Sequence, residues 1–139
     1  MEAQLTINQV AKRTGLTAYT LRYYERIGLL APVARAAGGQ RLYAPTDMAW
    51  LEFLLRLRTT HMTIGKMQAF AKLRSDGDST VTDRRQMLES HLLDVQAEII
   101  AMQNAVAALQ GKIAHYYGLE AEEAISKRRL KRKGLSSAL

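Results

Sequence analysis

The sequence predicts a mainly α-helical protein: a small head with one β-hairpin, a helix pair, and a long helix that needs a second copy of itself. Three observations predict it. Residues 4–43 read as two short capped helices followed by a Gly-rich hairpin, and residues 45–73 read as two more helices. From Leu88 to Tyr116 apolar residues recur at alternating spacings of four and three without a break.

Thr6 stands at an N-cap position with Gln9 three residues on, which completes a capping box, and Ile7, Val10 and Ala11 follow at helical spacing. Gly15 stops that helix. Thr17 caps a second, in which Leu21, Tyr24 and Ile27 can face inward and Tyr19, Thr20, Arg22, Tyr23 and Arg26 lie on other faces until Gly28 ends the run. Two helices joined through Arg13-Thr14-Gly15-Leu16 have the dimensions of a helix-turn-helix. Val33 to Arg35, the turn Ala36-Ala37-Gly38-Gly39, and Gln40 to Tyr43 then form a hairpin wing with Arg35 on one arm and Arg41 on the other. The polar face of the second helix suits a groove of nucleic acid, with Arg for phosphate or guanine and Thr and Tyr hydroxyls for phosphates and base edges. Tyr24 fits a contact or packing under the helix equally well.

Pro45 suits the first turn of a third helix, with Asp47 near the positive end of its dipole. Met48 to Leu57 is apolar on most sides, so that helix must be covered on more than one face. Thr63 caps a fourth helix, Ile64 to about Leu73, with Met67, Phe70 and Ala71 inward. Ser75 to Ser79 is a breaker segment. Beyond it, Leu92, Ile99, Val106 and Ile113 take the a positions of a heptad repeat, and Leu88, Val95, Met102, Leu109 and Tyr116 the d positions. A helix from Val81 to Tyr117 is about 55 Å long. The chain has no partner helix of that length, so the seam demands a dimer. The expected division is a head over residues 1–75, a linker over 76–80, a dimerisation helix over 81–118 that Gly118 ends, and a basic tail over 119–139 that is mobile or, on the other reading, touches DNA.

The formal charge of +7 is unevenly spread: residues 1–75 carry +7, residues 76–126 carry −6, and residues 127–139 carry +6. A basic head marks the polyanion-binding part. The absence of Cys removes disulfides, thiolate metal sites and cysteine nucleophiles together. His61, His91 and His115 are scattered, so no metal site and no cofactor are expected. With no nucleophile elbow, phosphate loop or carboxylate pair beside a histidine, an enzyme is the poorest candidate. Neither a signal peptide nor a bilayer-spanning apolar run is read from the sequence, which places the chain in the cytoplasm.

The stretch LTINQVAKRTGLTAYTLRYYERIGLL, followed by GGQRLYAPTDMAWLEFLLRLR, resembles the DNA-binding half of the MerR family of bacterial transcription regulators. The family pattern T-x-R-Y-Y-E-x-x-G-L-L is met at Thr20, Arg22, Tyr23, Tyr24, Glu25, Gly28, Leu29 and Leu30, and the wing pattern R-x-Y at Arg41 and Tyr43. The resemblance implies a winged helix-turn-helix, an antiparallel coiled coil between two protomers, and a homodimer on an inverted-repeat promoter element. It also implies activation by bending and untwisting DNA so that RNA polymerase engages both promoter elements. On this reading Arg13, Arg22, Arg41, Tyr23 and Tyr43 hold phosphates, and Thr17, Ala18, Tyr19 and Arg22 read bases. Thr20, Arg26, Arg35 and Lys66 complete the expected DNA-facing set.

Residues 50–62 are similar to the aldehyde-responsive branch of the family, whose cysteine is absent here and whose glycine position is His61. A thiol switch is therefore excluded. Trp50, Phe53, Met62, Met67 and Phe70 either line a pocket for a small apolar or aldehyde-like effector or are simply core. Two rival readings of the whole are a coiled-coil adaptor whose head binds another protein, and an architectural DNA binder with similar affinity for all duplexes.

Overall fold

The computed structural model describes residues 4–137, with side chains described to residue 134. The order of elements is β1 (Leu5–Thr6), α1 (Ile7–Thr14), α2 (Ala18–Arg26), β2 (Leu42–Tyr43), α3 (Pro45–Thr59), α4 (Ile64–Asp76), a 3₁₀ turn (Asp78–Thr80) and α5 (Val81–Ser137). The chain divides into two compact units, a head that reaches Leu93 and the rest of α5 from Asp94.

The capping signals act as their chemistry predicts. Thr6 Oγ1 accepts from the Gln9 amide and Gln9 Oε1 accepts from the Thr6 amide, closing the capping box of α1. Gly15, at φ 74°, ends α1 in the left-handed conformation that glycine adopts without cost. Thr17 caps α2 and Thr63 caps α4 in the same way. Ala44 has no side chain to cap α3, so the Asp47 carboxylate reaches back 2.8 Å to the Ala44 amide.

The hairpin is smaller and differently partnered than the sequence predicts. Its arms meet at Arg35 and Arg41, and the Leu42 amide donates to Ala34 O at 2.8 Å. The returning strand β2 also pairs antiparallel with β1, Leu5 opposite Tyr43 and Thr6 opposite Leu42. The wing is thereby anchored to the start of α1.

The core of the head gathers Val10 from α1, Leu21 and Tyr24 from α2, Leu29, Leu30 and Val33 from the connection, Tyr43 from β2, and the inward faces of α3 and α4. Two side chains tie the helix pair to the end of α2: Trp50 Nε1 donates to Leu29 O and Gln68 Nε2 to Ile27 O, both at 2.8 Å. Trp50 stacks on Phe70 with ring centroids 5.7 Å apart, and the Arg74 guanidinium lies 4.7 Å from the Trp50 ring centre.

Five expectations along the second half are corrected. α4 runs to Asp76 rather than about Leu73, and the 76–80 linker is an ordered corner: Gly77 takes φ 93°, and the Thr80 hydroxyl lies 2.5 Å from Leu73 O and 2.7 Å from Gly77 O. The head ends at Leu93 rather than 75, because Met87 and Leu88 of α5 pack on its core; Leu88 is therefore an intramolecular contact before it is a dimer contact. Gly118 does not end the long helix, and residues 119–137 continue it instead of forming a tail. One glycine costs a helix about 1 kcal/mol, and the Glu, Ala, Lys, Arg and Leu that follow are strong helix formers with no proline to stop them. Finally, α5 contains one window long and apolar enough to cross a membrane by length and composition, contrary to the sequence reading. The heptad seam and its flanking alanines supply that apolarity.

From Leu92 onward the seam lies open. Leu92, Ile99, Met102, Val106, Leu109, Ile113 and Tyr116 are all exposed, and Val95 is half-buried.

Candidate nucleic-acid interface

α2 presents Tyr19, Arg22, Tyr23 and Arg26 outward while Leu21 and Tyr24 are buried beneath it. The division follows from helical geometry, since positions three apart share a face and their neighbours do not. Tyr19 is 70% exposed, the most open aromatic of the helix. The Arg26 guanidinium lies 5.6 Å from the Tyr23 ring centre, which holds both side chains near the surface. Tyr24 is settled as packing: it is buried, and its hydroxyl accepts from Arg58 Nη1 at 3.1 Å.

Thr17 already has an occupation. Its oxygen accepts from the Thr20 amide as the cap, and its proton is donated to Thr20 Oγ1 at 2.9 Å. Ala18 and Thr20 lie half-buried in the first turn of α2.

The wing meets α2 through one ion pair. Arg41 Nε donates to Glu25 Oε2 at 2.6 Å, with the two side chains 20% and 14% exposed. Through this pairing the Arg41 guanidinium neutralises the one carboxylate on α2 and clamps the wing to the helix, with only its Nε engaged. No local sequence rule reveals a contact across 16 positions. Arg35 is likewise engaged at home, with Nη1 donating to Gly39 O at 2.9 Å across its own turn.

Tyr43 also departs from expectation. It is 1% exposed, lies in the core, and its hydroxyl has no hydrogen-bond partner among the described residues. Burial, then the neighbouring Glu25 carboxylate, pushes its phenol above the ordinary value of 10.0. A strand residue alternates inward or outward, and the register with Leu5 sets Tyr43 inward.

Arg22, Arg41 and the wing turn at Gly39 and Gln40 border a cleft of about 290 Å³ with Thr6, Ile7 and Asn8 at the start of α1. The elements brought together are the amide end of a helix, the outward face of α2 and the wing. Helix N-termini and guanidinium groups are the two protein groups best suited to phosphate oxygens. Asn8 and Gln40 carry no pattern that singles them out in the sequence. Arg13 and Lys66 are exposed, at the last turn of α1 and the first turn of α4 respectively.

The proposed effector residues belong to the core of the head or lie against it, and none of the described cavities is lined by them all. Trp50, Met62, Met67 and Phe70 are buried, and Phe53, 38% exposed, tilts against both Trp50 and Phe70. Trp50 borders a cavity of about 410 Å³ near Gly28 and Lys72, and Phe70 a different one of about 420 Å³ beside Val81 and Leu88.

Comparison with known proteins bears on this arrangement. The sequence matches the model of the MerR family regulatory protein over residues 6–43 and that of the MerR DNA-binding region over residues 48–112. It is 31% identical over 134 residues to the uncharacterised HTH-type transcriptional regulator YyaN of Bacillus subtilis, covering 88% of this chain and 97% of that one. It is 44% identical over 84 residues, 60% of each chain, to the HTH-type transcriptional regulator AdhR of Bacillus subtilis. The fold is similar to that of HiNmlR, described as a MerR family regulator lacking the sensor domain and bound to promoter DNA, with a TM-score of 0.78 and 31% identity over 85% of this chain and 94% of that one. A capped helix pair with a cationic outward face, a wing clamped to it and a sequence related throughout leave one conclusion: the chain belongs to the MerR family of DNA-binding transcriptional regulators.

Proposed function

We propose that the chain works as a homodimer that docks two α2 helices and two wings on an inverted repeat in promoter DNA and regulates transcription, in the cytoplasm, by deforming that DNA. The observation that carries this reading is the open apolar seam of α5 combined with one half-site reader per chain. Seven seam residues from Leu92 to Tyr116 are exposed, far more contiguous apolar surface than a lone soluble helix keeps in water. Covering it with an identical helix gives a twofold assembly, and a twofold protein calls for a twofold operator.

Within each half-site, Arg22, Tyr19 and Tyr23 are the groups free to reach the duplex, with Arg13, Arg26 and Lys66 as outlying cations. Arg41 acts first by holding the wing through Glu25. Bending a site of this size costs a few kcal/mol, which added wing contacts offset. RNA polymerase is the partner that reads the deformed promoter. A small apolar effector would sit beside Phe70, in the cavity of about 420 Å³ that Val81 and Leu88 also line.

Selection from a pool of random duplexes tests it. Enrichment of an inverted repeat with half-sites about one helical turn apart is the expected result, and enrichment of single half-sites, or of nothing, overturns it. On the enriched duplex, Arg22→Ala is expected to lose about 1–3 kcal/mol of affinity while random DNA is weakened less. Equal loss on both makes Arg22 a phosphate anchor rather than a base reader.

A further inference from the structure

Lys127, Arg128, Arg129, Lys131, Arg132 and Lys133 belong to α5, exposed on its last described turns. At 100° per residue the six cations spread over roughly 240° of the helix circumference. In that stretch the remaining sector holds only Leu130, itself 69% exposed. A helix lying on a lipid surface needs a broad apolar face, and this segment has none. Nor does it prolong the seam well, because of the four heptad positions after Tyr116, Glu120, Glu123, Lys127 and Leu130, three are charged.

What such a helix fits is a polyanion. Six charges over seven residues amount to one positive charge per roughly 1.8 Å of axis, close to the one negative charge per about 1.7 Å of duplex DNA. Pairing within the helix absorbs little of this: Lys127 lies 3.1 Å from Glu123, both exposed, and Arg128, Arg129, Lys131 and Arg132 have no ion-pair partner among the described residues. The helix also fixes the backbone beforehand, so less ordering is lost on binding than for a disordered tail.

We propose that this helical segment binds the phosphates of duplex DNA outside the half-sites gripped by α2 and the wing. Duplex DNA is favoured over other polyanions because the same chain already holds it, which sets a high effective concentration. The inference rests on DNA binding by the head and not on its choice of sequence.

The test replaces Arg128, Arg129, Lys131 and Arg132 with Gln in the full chain, which keeps good helix formers in place. Binding to a mixed-sequence duplex of about 40 bp is titrated from roughly 50 to 300 mM salt by fluorescence anisotropy. The slope of log K against log salt is expected to become shallower by about 2 to 4, since each phosphate no longer neutralised lowers it by about 0.9, with self-association by sedimentation unchanged. An unchanged slope overturns the proposal. So does an unchanged slope with weakened self-association, which places the segment on the acidic stretch of a second copy. If the operator reading fails instead, selected and random duplexes bind the parent chain alike while the slope difference persists.

Discussion

His61 shows how one backbone angle explains a residue preference. It is the one non-glycine residue among those described with a positive φ, 65°, and it stands where the resembling branch of the family has glycine. Its amide donates to Arg58 O and the next amide, Met62, to Leu57 O, both at 3.0 Å, the paired bonds that close a helix through a left-handed residue. A Cβ in that conformation costs about 1 kcal/mol. Comparing His61→Gly with His61→Ala isolates this cost, because both remove the imidazole and they differ only in the Cβ. The Gly variant is expected to be the more stable by about 1 kcal/mol in chemical denaturation, and equal stability would show that the angle relaxes. Tyr43 supplies a second prediction at this scale. Its phenol is raised by burial, so above pH 10 the unfolded chain loses a proton that the folded chain keeps, and stability falls as pH rises. Tyr43→Phe is expected to flatten that alkaline decline relative to the parent, and to cost nothing near neutrality, since the hydroxyl is unpaired. An identical alkaline slope in the two proteins would refute it.

Among the elements, legibility in the sequence tracks how local the cause is. The caps of α1, α2 and α4 were readable because Thr, Gln and Gly act within four residues of their targets. The pairing of β1 with β2 was not, since two-residue strands show no period and the partners, Leu5 with Tyr43 and Thr6 with Leu42, lie far apart along the chain. The Arg41–Glu25 clamp was hidden for the same reason, and so was the burial of Tyr43, which reads as a phosphate ligand from a motif that also builds the wing. Gly118 misled in the opposite sense. A lone glycine lowers helix propensity without fixing a terminus, and here it sits inside α5 with no neighbouring atom in the way of a Cβ. Gly118→Ala is therefore expected to stabilise α5 by about 1 kcal/mol. The check is the thermal transition followed at the helical circular-dichroism band; a lowered midpoint would mean that the position is packed against a partner or bent in solution.

For the molecule as a whole, the decisive quantity is the direction in which two α5 helices run. The heptad composition, β-branched or Leu at a and mostly unbranched at d, asks for two strands and is silent on direction. Direction decides which ends of the two chains meet, and hence how far apart the two readers are held on DNA. The absence of cysteine makes the measurement clean, because a spin label placed through Leu92→Cys has no competing site. In a parallel pair Leu92 faces its own copy across the seam at about 10 Å. In an antiparallel pair the two copies of Leu92 lie at opposite ends of the seam. There they are separated by 17 to 24 residues of rise, depending on whether Leu109 or Tyr116 faces Leu92, or roughly 25 to 36 Å. The long distance is expected. It must also vanish when Val106, a central a position, is replaced by Lys, since a charge in the buried seam splits the pair. A short distance overturns the antiparallel pairing while leaving the twofold axis in place, and no distance at all at micromolar concentration means that water, rather than a second chain, covers the seam.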